Sequence, residues 1–435
     1  MMRVASLTRA AAVAAALTLV VAAPAAAQQP AAKIDPADTA WMIVATALVL
    51  MMSIPGLALF YAGMVRKKNV LATMAQTFAV TALGSVLWML IGYSLTFVGG
   101  GAVLGTLRRV ALFGMGTDSV SALAPTIPEA LFMLYQMTFA VITVALVAGS
   151  VADRMRFSAF LWFAALWFLI VYVPIAHWVW GGGFLGSAGV LDFAGGTVVH
   201  LNAGVAGLVA ALVLGARRGY GSDNFAPYDL SLAVIGTGLL WVGWFGFNGG
   251  SALAAGSRAV FAILDTHLAA SAGAVTWMAL EWWTRGKPSV LGMISGAVAG
   301  LGTITPASGF VLPWEALIIG IIAGLVCFWA CTWLKLHYGY DDSLDVFGVH
   351  GVGGATGTLL TGVFAARAIG NVSGLTEGHV TQVLIQLYGI AVTLAWSGIA
   401  TFVLLKVVSA FVPLRVDKQA EVEGLDVTQH GEALQ

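Results

Sequence analysis

The sequence predicts an all-α polytopic membrane protein with about eleven transmembrane helices, and three observations lead there. First, 60% of the 435 residues are hydrophobic and only 9% are charged, with a mean hydropathy of +0.92. A soluble domain carries roughly 25% charged residues. Second, the apolar residues fall into stretches of roughly 20, long enough as helices to cross a bilayer. Third, the basic residues are shared unequally between alternate loops. Twenty acidic and twenty basic side chains leave no net charge to attract nucleic acid.

The first element is a leader. Arg3 and Arg9 precede the apolar run 10–23, and Ala25-Ala26-Ala27 offers a small-residue cleavage site before Gln28. That layout predicts a signal peptide over 1–27, whose removal puts the mature N-terminus outside a bacterial inner membrane. An extra uncleaved helix is the alternative. The membrane domain then runs over 28–411, and 412–435 forms a short tail.

Within the membrane domain the expected spans are 40–62, 70–98, 129–151, 157–178, 197–215, 229–251, 260–283, 289–307, 313–336, 346–366 and 381–411. Loop charge sets their direction. With the N-terminus outside, inner segments collect Arg66, Lys67, Lys68, Arg154, Arg156, Arg217, Arg218, Arg285, Lys287, Lys335, Arg415 and Lys418. The outer segments hold Lys33, Arg108, Arg109, Arg258 and Arg367. Basic residues concentrate on the cytoplasmic side of membrane proteins, which places the C-terminus in the cytoplasm. Cys327 and Cys331, one turn apart in an apolar run, read as packing thiols rather than a disulfide.

Two histidines interrupt the apolar pattern. His200 lies in the fifth expected span and His350 in the tenth, each ahead of small residues: Gly204, Gly207 and Ala210, and Gly353, Gly354 and Gly357. Five helices per half suggests an inverted 5+5 repeat, with the eleventh span added and the histidines meeting near the midplane. Small residues also let helix backbones approach closely, repeat or not. An ionisable group in a bilayer is costly and usually faces a partner or a pathway. Two neutral imidazoles can share a proton in an N–H···N bond and present an N–H or a lone pair to a small passing molecule. His267 and His177 read as structural, and His337, His379 and His430 as loop or tail residues. With no cluster of three or four ligands, neither a metal nor any other cofactor is expected. The glycine clusters lack the lysine and spacing of a phosphate loop.

Several blocks together carry a family resemblance. They are Asp192-Phe193-Ala194-Gly195-Gly196-Thr197-Val198-Val199-His200, Gly243-Trp244-Phe245-Gly246-Phe247-Asn248 with Ser251, and Asp341-Asp342-Ser343-Leu344-Asp345 leading to His350. Tyr135-Gln136-Met137-Thr138-Phe139, Pro174 through Trp180, and Arg66-Lys67-Lys68-Asn69 add to them. In this order they resemble the ammonium transporter (Amt/Mep/Rh) family, bacterial Amt type. The resemblance implies an ammonium transporter or channel, not an enzyme. It implies an outer recruitment site of Phe139, Trp180 and Ser251, a gate of stacked Phe139 and Phe247, and lumen histidines His200 and His350. Trp244 would pack against the pore, and Asp192 would shape the outer site without touching substrate. It further implies homotrimers with one pore per subunit, methylammonium as a substrate analogue, and a role in nitrogen assimilation. The tail block Gly424-Leu425-Asp426-Val427 resembles an ordered regulatory tail that packs on a neighbouring subunit and helps couple it to a PII-type (GlnK-like) signalling protein. Asp153, Val144 and Gly249-Gly250 depart from the family pattern, away from the expected pore or only beside the outer site.

Elementary chemistry agrees with these roles. Aromatic faces attract a cation by up to about 2 kcal/mol when desolvated, and a hydroxyl oxygen accepts an N–H. A bare cation in an apolar bore meets an idealised penalty of tens of kcal/mol. Ammonium escapes it by giving up a proton; potassium has none to give. Whether the proton follows by a separate relay, making transport electrogenic, stays open at this point, with net ammonium transport slightly favoured. The competing readings are a potassium-type channel, for which no ring of carbonyls or acids is evident, and a non-transporting ammonium sensor. Asp341, Asp342 and Asp345 read as helix-capping acids, or as lining of an inner vestibule.

Overall fold

The structure is a computed structural model, and it describes residues 33–434. The expected signal peptide, 1–27, lies outside the described residues. Among them, nine helices are long and apolar enough to cross a membrane. In chain order these are α1 (Pro36–Met64), α2 (Lys67–Phe97), α3 (Glu129–Val151), α4 (Phe157–Ser187), α5 (Gly196–Leu214), α6 (Leu230–Gly250), α7 (Ser257–Arg285), α9 (Pro313–Tyr338) and α11 (Thr381–Ser409). Two shorter helices lie among them: α8 (Val290–Ile304) and α10, over 347–364. A small antiparallel pair, β1 (Val120–Ser121) and β2 (Ala124–Pro128), precedes α3. The helices start and stop within a few residues of the expected spans, except that α4 continues past 178 to Ser187.

Two features of the sequence shape these helices locally. Pro55 interrupts α1, and Ile54 before it leaves helical geometry (φ −133°, ψ 109°), as a residue preceding proline is pushed to do. Wide π-type turns open α5 (Gly196–Leu201) and α10 (Phe347–Gly351). Similar turns occur in α1, α2, α4, α9 and the tail. The two that open α5 and α10 carry His200 and His350.

Helices α3 and α5 sit at the centre. Nearly every residue of α3 from Tyr135 onward is buried. Helix α5 crosses α10 at Gly204, where an added Cβ would collide with the backbone of Gly351. Glycine there lets the two histidine-bearing helices touch backbone to backbone.

At one end of the bundle, charged residues from several loops are buried together. Arg217 forks onto Asp341 with contacts of 2.7 and 2.9 Å, and Arg66 pairs with Asp153 at 3.0 Å. Burial pushes the Arg154 guanidinium down to about 10, against the pull of Asp341. The tail docks on this end. Lys68 donates to the carbonyls of Glu421 (3.0 Å) and Val422 (2.6 Å), at the close of a short helix, α12 (Lys418–Glu423). The Asn69 side chain accepts from Leu425 N–H at 2.8 Å. Asp426 accepts from Ala72 N–H at 2.8 Å, supplying an acceptor and a negative charge to the first turns of α2. Gly424 adopts φ +111°, with Lys68 packed where a Cβ would go. The tail thus packs on the loops of its own chain.

Candidate functional site

Three cavities follow one another along the centre of the bundle. The first, of about 260 Å³, opens at the end away from the tail and is lined by Gln136, Phe139, Trp180, Phe193 and Ser251 among others. Its floor is aromatic. Phe139 stacks on Phe247 with centroids 4.2 Å apart and planes 25° apart. Trp180 meets Phe139 edge-on at 5.8 Å. Phe139 and Phe247 are each only 1% exposed, and the stack lies between the first cavity and the next.

Ser251 caps the end of α6, and its hydroxyl donates to Phe247 O at 2.8 Å. The proton is therefore directed inward, and oxygen lone pairs remain for a donor in the cavity. Trp180 is fixed by its indole N–H, which donates to Asp192 O at 2.8 Å.

Beneath the stack lies a narrow second cavity of about 10 Å³, room for roughly one water-sized sphere. Its wall is apolar (Ile142, Leu146, Leu240 and Val298 among others) except for His200 and His350. The two imidazoles meet edge to edge, nearly coplanar, with Nδ1 atoms 3.2 Å apart and planes 12° apart. One Nδ1 must donate and the other accept, so a single proton lies between them. His200 Nε2 is buried and finds no partner among the described residues. A buried polar atom left without a partner is uncommon and asks for an explanation. The Trp244 ring stacks on His200 at 5.4 Å and 18°, and its indole donates to Thr305 at 2.8 Å.

The third cavity, of about 150 Å³, shares Phe60, Val298 and His350 with the second and continues past Phe225, Cys331, Ser343 and Asp345 toward the tail end. An aromatic mouth, a stacked pair, an apolar throat with two imidazoles and a more polar vestibule therefore lie in series.

Each histidine is held by an aspartate eight residues before it. Asp192 accepts from the backbone N–H groups of Gly195 (2.7 Å), Gly196 (2.6 Å), Thr197 (2.8 Å) and Val198 (3.2 Å). These are the unsatisfied donors that open α5. Asp342 does the same work on α10 with one bond, from Phe347 N–H at 2.7 Å. Asp192 thus sits under both Trp180 and His200, and is not among the residues lining either cavity. Of the other acids, Asp341 pairs with Arg217 and Asp345 with Lys335. Asp345 also lines the third cavity.

The remaining histidines are placed elsewhere. His177 lies with its two ring nitrogens 2.7 and 2.8 Å from the carbonyls of Thr96 and Gly101. His267 is exposed against Trp241 and Phe245 rather than buried in a polar contact. His337 belongs to α9, stacked on Trp333, rather than to a loop. Of the tail pair, Asp426 is buried and bonded to the first turns of α2 while Gly424 packs on Lys68. Tyr135 entered the sequence reading only as part of the resemblance and Thr305 not at all, since their bonds cross between elements and leave no local pattern.

The Ammonium Transporter Family model matches residues 40–434. An ammonium transporter of Bacillus subtilis is 49% identical over 397 residues, covering 91% of this chain and 97% of the relative. Among solved structures, Mep2 of Saccharomyces cerevisiae superposes with a TM-score of 0.82 at 39% identity, covering 89% of each chain. A structure described as a sensor Amt protein superposes at 0.84 with 29% identity, covering 91% of this chain and 98% of that one.

Proposed function

Because the chain belongs to the ammonium transporter family, we propose that it recruits ammonium at Phe139, Trp180 and Ser251, strips it of a proton at the Phe139–Phe247 gate, and conducts ammonia past His200 and His350. The support is the pair of near-coplanar imidazoles that meet edge to edge, Nδ1 to Nδ1 at 3.2 Å, inside an otherwise apolar throat. A cation reaching that throat would lose its water and gain no carboxylate. Ammonium alone can continue by leaving its charge behind.

The cavity above supplies the first half of the process. The faces of Phe139 and Trp180 favour a cation by up to about 2 kcal/mol once water is displaced, and Ser251 accepts an N–H. The gate must then part, since its two rings are in contact. Below it, ammonia offers three N–H donors and one lone pair to the imidazoles. The unpartnered His200 Nε2 is one atom placed to answer. A proton released above the gate can travel separately along the imidazole pair, which makes net transport electrogenic.

The same reading extends to the surroundings. The chain spans a bacterial inner membrane eleven times, with α1 entering from outside and the tail in the cytoplasm. It assembles as homotrimers with one pore per subunit, embedded in lipid. Residues 28–411 form the transport domain after a cleaved leader over 1–27. The tail over 412–435, with Gly424 and Asp426, offers a docking face for a PII-type protein that shuts the pore when nitrogen is plentiful. The matched Asp-x7-His arrangements of α5 and α10 support two inverted halves of five helices.

Proteoliposomes test this reading. Internal alkalinisation or current driven by ammonium and competed by methylammonium, without potassium current, is the expected result. Potassium current of similar size would instead make the protein a cation channel, and ammonium binding without flux would make it a sensor.

A further inference from the structure

Arg258, the second residue of α7, carries a charge that no neighbouring acid balances. Its guanidinium carbon lies 4.9 Å from the ring centre of Phe193 and 5.0 Å from that of Phe310, two rings that meet edge-on at 5.7 Å. Its Nε–H donates to Gly309 O at 3.0 Å. Among the described residues no carboxylate comes within ion-pairing distance of it. Arg109, the other half-buried arginine of the outer segments, instead forks onto Glu129 at 3.0 and 3.2 Å. The two Nη atoms of Arg258 make no bond and are not buried orphans, so they face solvent.

The position matters because Phe193 also lines the outer cavity. One aromatic ring therefore separates a fixed cation from the place where ammonium is recruited. An ion touching Phe193 from the cavity would sit about 10 Å from the guanidinium, one screening length at about 0.1 M salt. Like charges at that separation repel, and the repulsion fades as salt rises. Helix α7 does not account for the arginine, since its first turn carries the positive end of the backbone dipole and favours acids over bases. Packing does not need the charge either, because an uncharged side chain of similar length would cover the same rings. The faces of Phe193 and Phe310 that Arg258 covers are closed to ammonium, which leaves Phe139 and Trp180 to attract it.

We propose that Arg258 sets the affinity of the outer site: its unpaired guanidinium, seated on Phe193, repels cations from the cavity, so that only a cation able to add an N–H bond at Ser251 to the aromatic attraction is retained. The inference rests on the outer-site reading above and deepens it. Potassium and sodium meet the same repulsion without that bond. The sign of the salt dependence follows. In the parent chain added salt screens the repulsion, and ammonium is held more tightly rather than less.

The test is uptake of labelled methylammonium by the full-length chain in proteoliposomes of phosphatidylcholine, which adds no net surface charge, with unlabelled ammonium as competitor. Sodium chloride is set equal on both sides at about 0.01 M or about 1 M, where screening lengths are about 30 and about 3 Å. At low salt Arg258→Gln lowers the half-inhibiting ammonium concentration about threefold and Arg258→Glu about tenfold; at high salt both come within about 1.5-fold of the parent. Arg258→Lys keeps the charge and stays within about 1.5-fold of the parent at either salt. Maximal rates hold within about twofold, since Arg258 touches neither the gate nor the imidazoles. Should Arg258→Gln fail to insert, Arg258→Met, uncharged and adaptable, is read with the same expected shift. An unchanged or raised half-inhibiting concentration in the uncharged variant at low salt overturns the inference. So does a shift that persists at high salt, or Arg258→Lys behaving like Arg258→Gln. Ser251→Ala, assayed alongside, weakens ammonium at both salt concentrations. If it does not, the outer site itself is lost, a failure distinct from that of Arg258.

Discussion

His200 and Asp192 show how much one side chain depends on another eight residues away. The carboxylate of Asp192 holds four backbone N–H groups that would otherwise be orphaned at the start of α5. One orphaned buried donor costs roughly 1–3 kcal/mol. Asp192→Ala should therefore lower the melting temperature of the detergent-solubilised protein and also weaken ammonium uptake, because the turn that carries His200 loses its cap, whereas Trp180 keeps its bond to the main-chain carbonyl at 192. A variant with parental melting and uptake would remove Asp192 from the site. His200→Asp replaces a group that shares a proton with one that, when ionised, can only accept. Its expected effect is reduced discrimination between ammonium and potassium, read as the ratio of their currents. Parental transport and selectivity in that variant would count heavily against a lumen role. The residue scale was also where the sequence was most readable: an ionisable group in an apolar run is visible without any structure. That His200 and His350 meet was an expectation from the repeat; their near-coplanar, Nδ1-to-Nδ1 approach at 3.2 Å was not visible, because residues 150 apart are oriented only by folding.

At the scale of elements, the tail is tied down by the helices it caps. Asp426 and Asn69 bridge the tail to the opening of α2, and Gln429 accepts from Phe157 N–H, which opens α4, at 3.3 Å. Asp426→Ala should free the tail, seen as faster cleavage after residue 415 by a protease added to the exposed face. Asp426→Asn keeps an acceptor and should protect nearly as well. The pH response of the same end follows from Asp341. Burial alone would raise its carboxyl, but the bidentate Arg217 contact outweighs burial and holds it below the ordinary aspartate range. A carboxyl depressed in the folded state stabilises above its unfolded value near 3.9 and loses that contribution as pH falls through the folded value. Protease resistance at this end should accordingly stay flat from about pH 8 to pH 5 and fail only in stronger acid; loss near neutral pH would show that another group controls it. Helix limits were legible from hydropathy to within a few residues. The wide turns at Gly196–Leu201 and Phe347–Gly351 were not, since they depend on which carbonyl each N–H finds in the packed bundle.

For the whole molecule, loop charge and helix direction give a test of orientation. Single cysteines at Gly378 and Gly286, both exposed, should react with an impermeant thiol reagent from opposite sides of intact cells: Gly378 from outside, Gly286 only after the inner face is opened. The reverse pattern would invert the proposed direction of transport. The test requires replacing Cys327 and Cys331, which are free thiols on α9.

Composition and the spacing of apolar runs determined, by themselves, that this chain is a bundle of membrane helices and which side chains are out of place in lipid. Those are properties of each segment, because burying apolar surface and closing backbone hydrogen bonds within a helix need no distant partner. Tertiary structure alone decided that Phe139 and Phe247 approach to 4.2 Å, that Tyr135 and Ser251 converge on one carbonyl, and that the two imidazoles meet edge to edge in a throat one sphere wide. Such contacts are set by how helices cross, and crossing depends on side-chain shapes contributed by both partners at once.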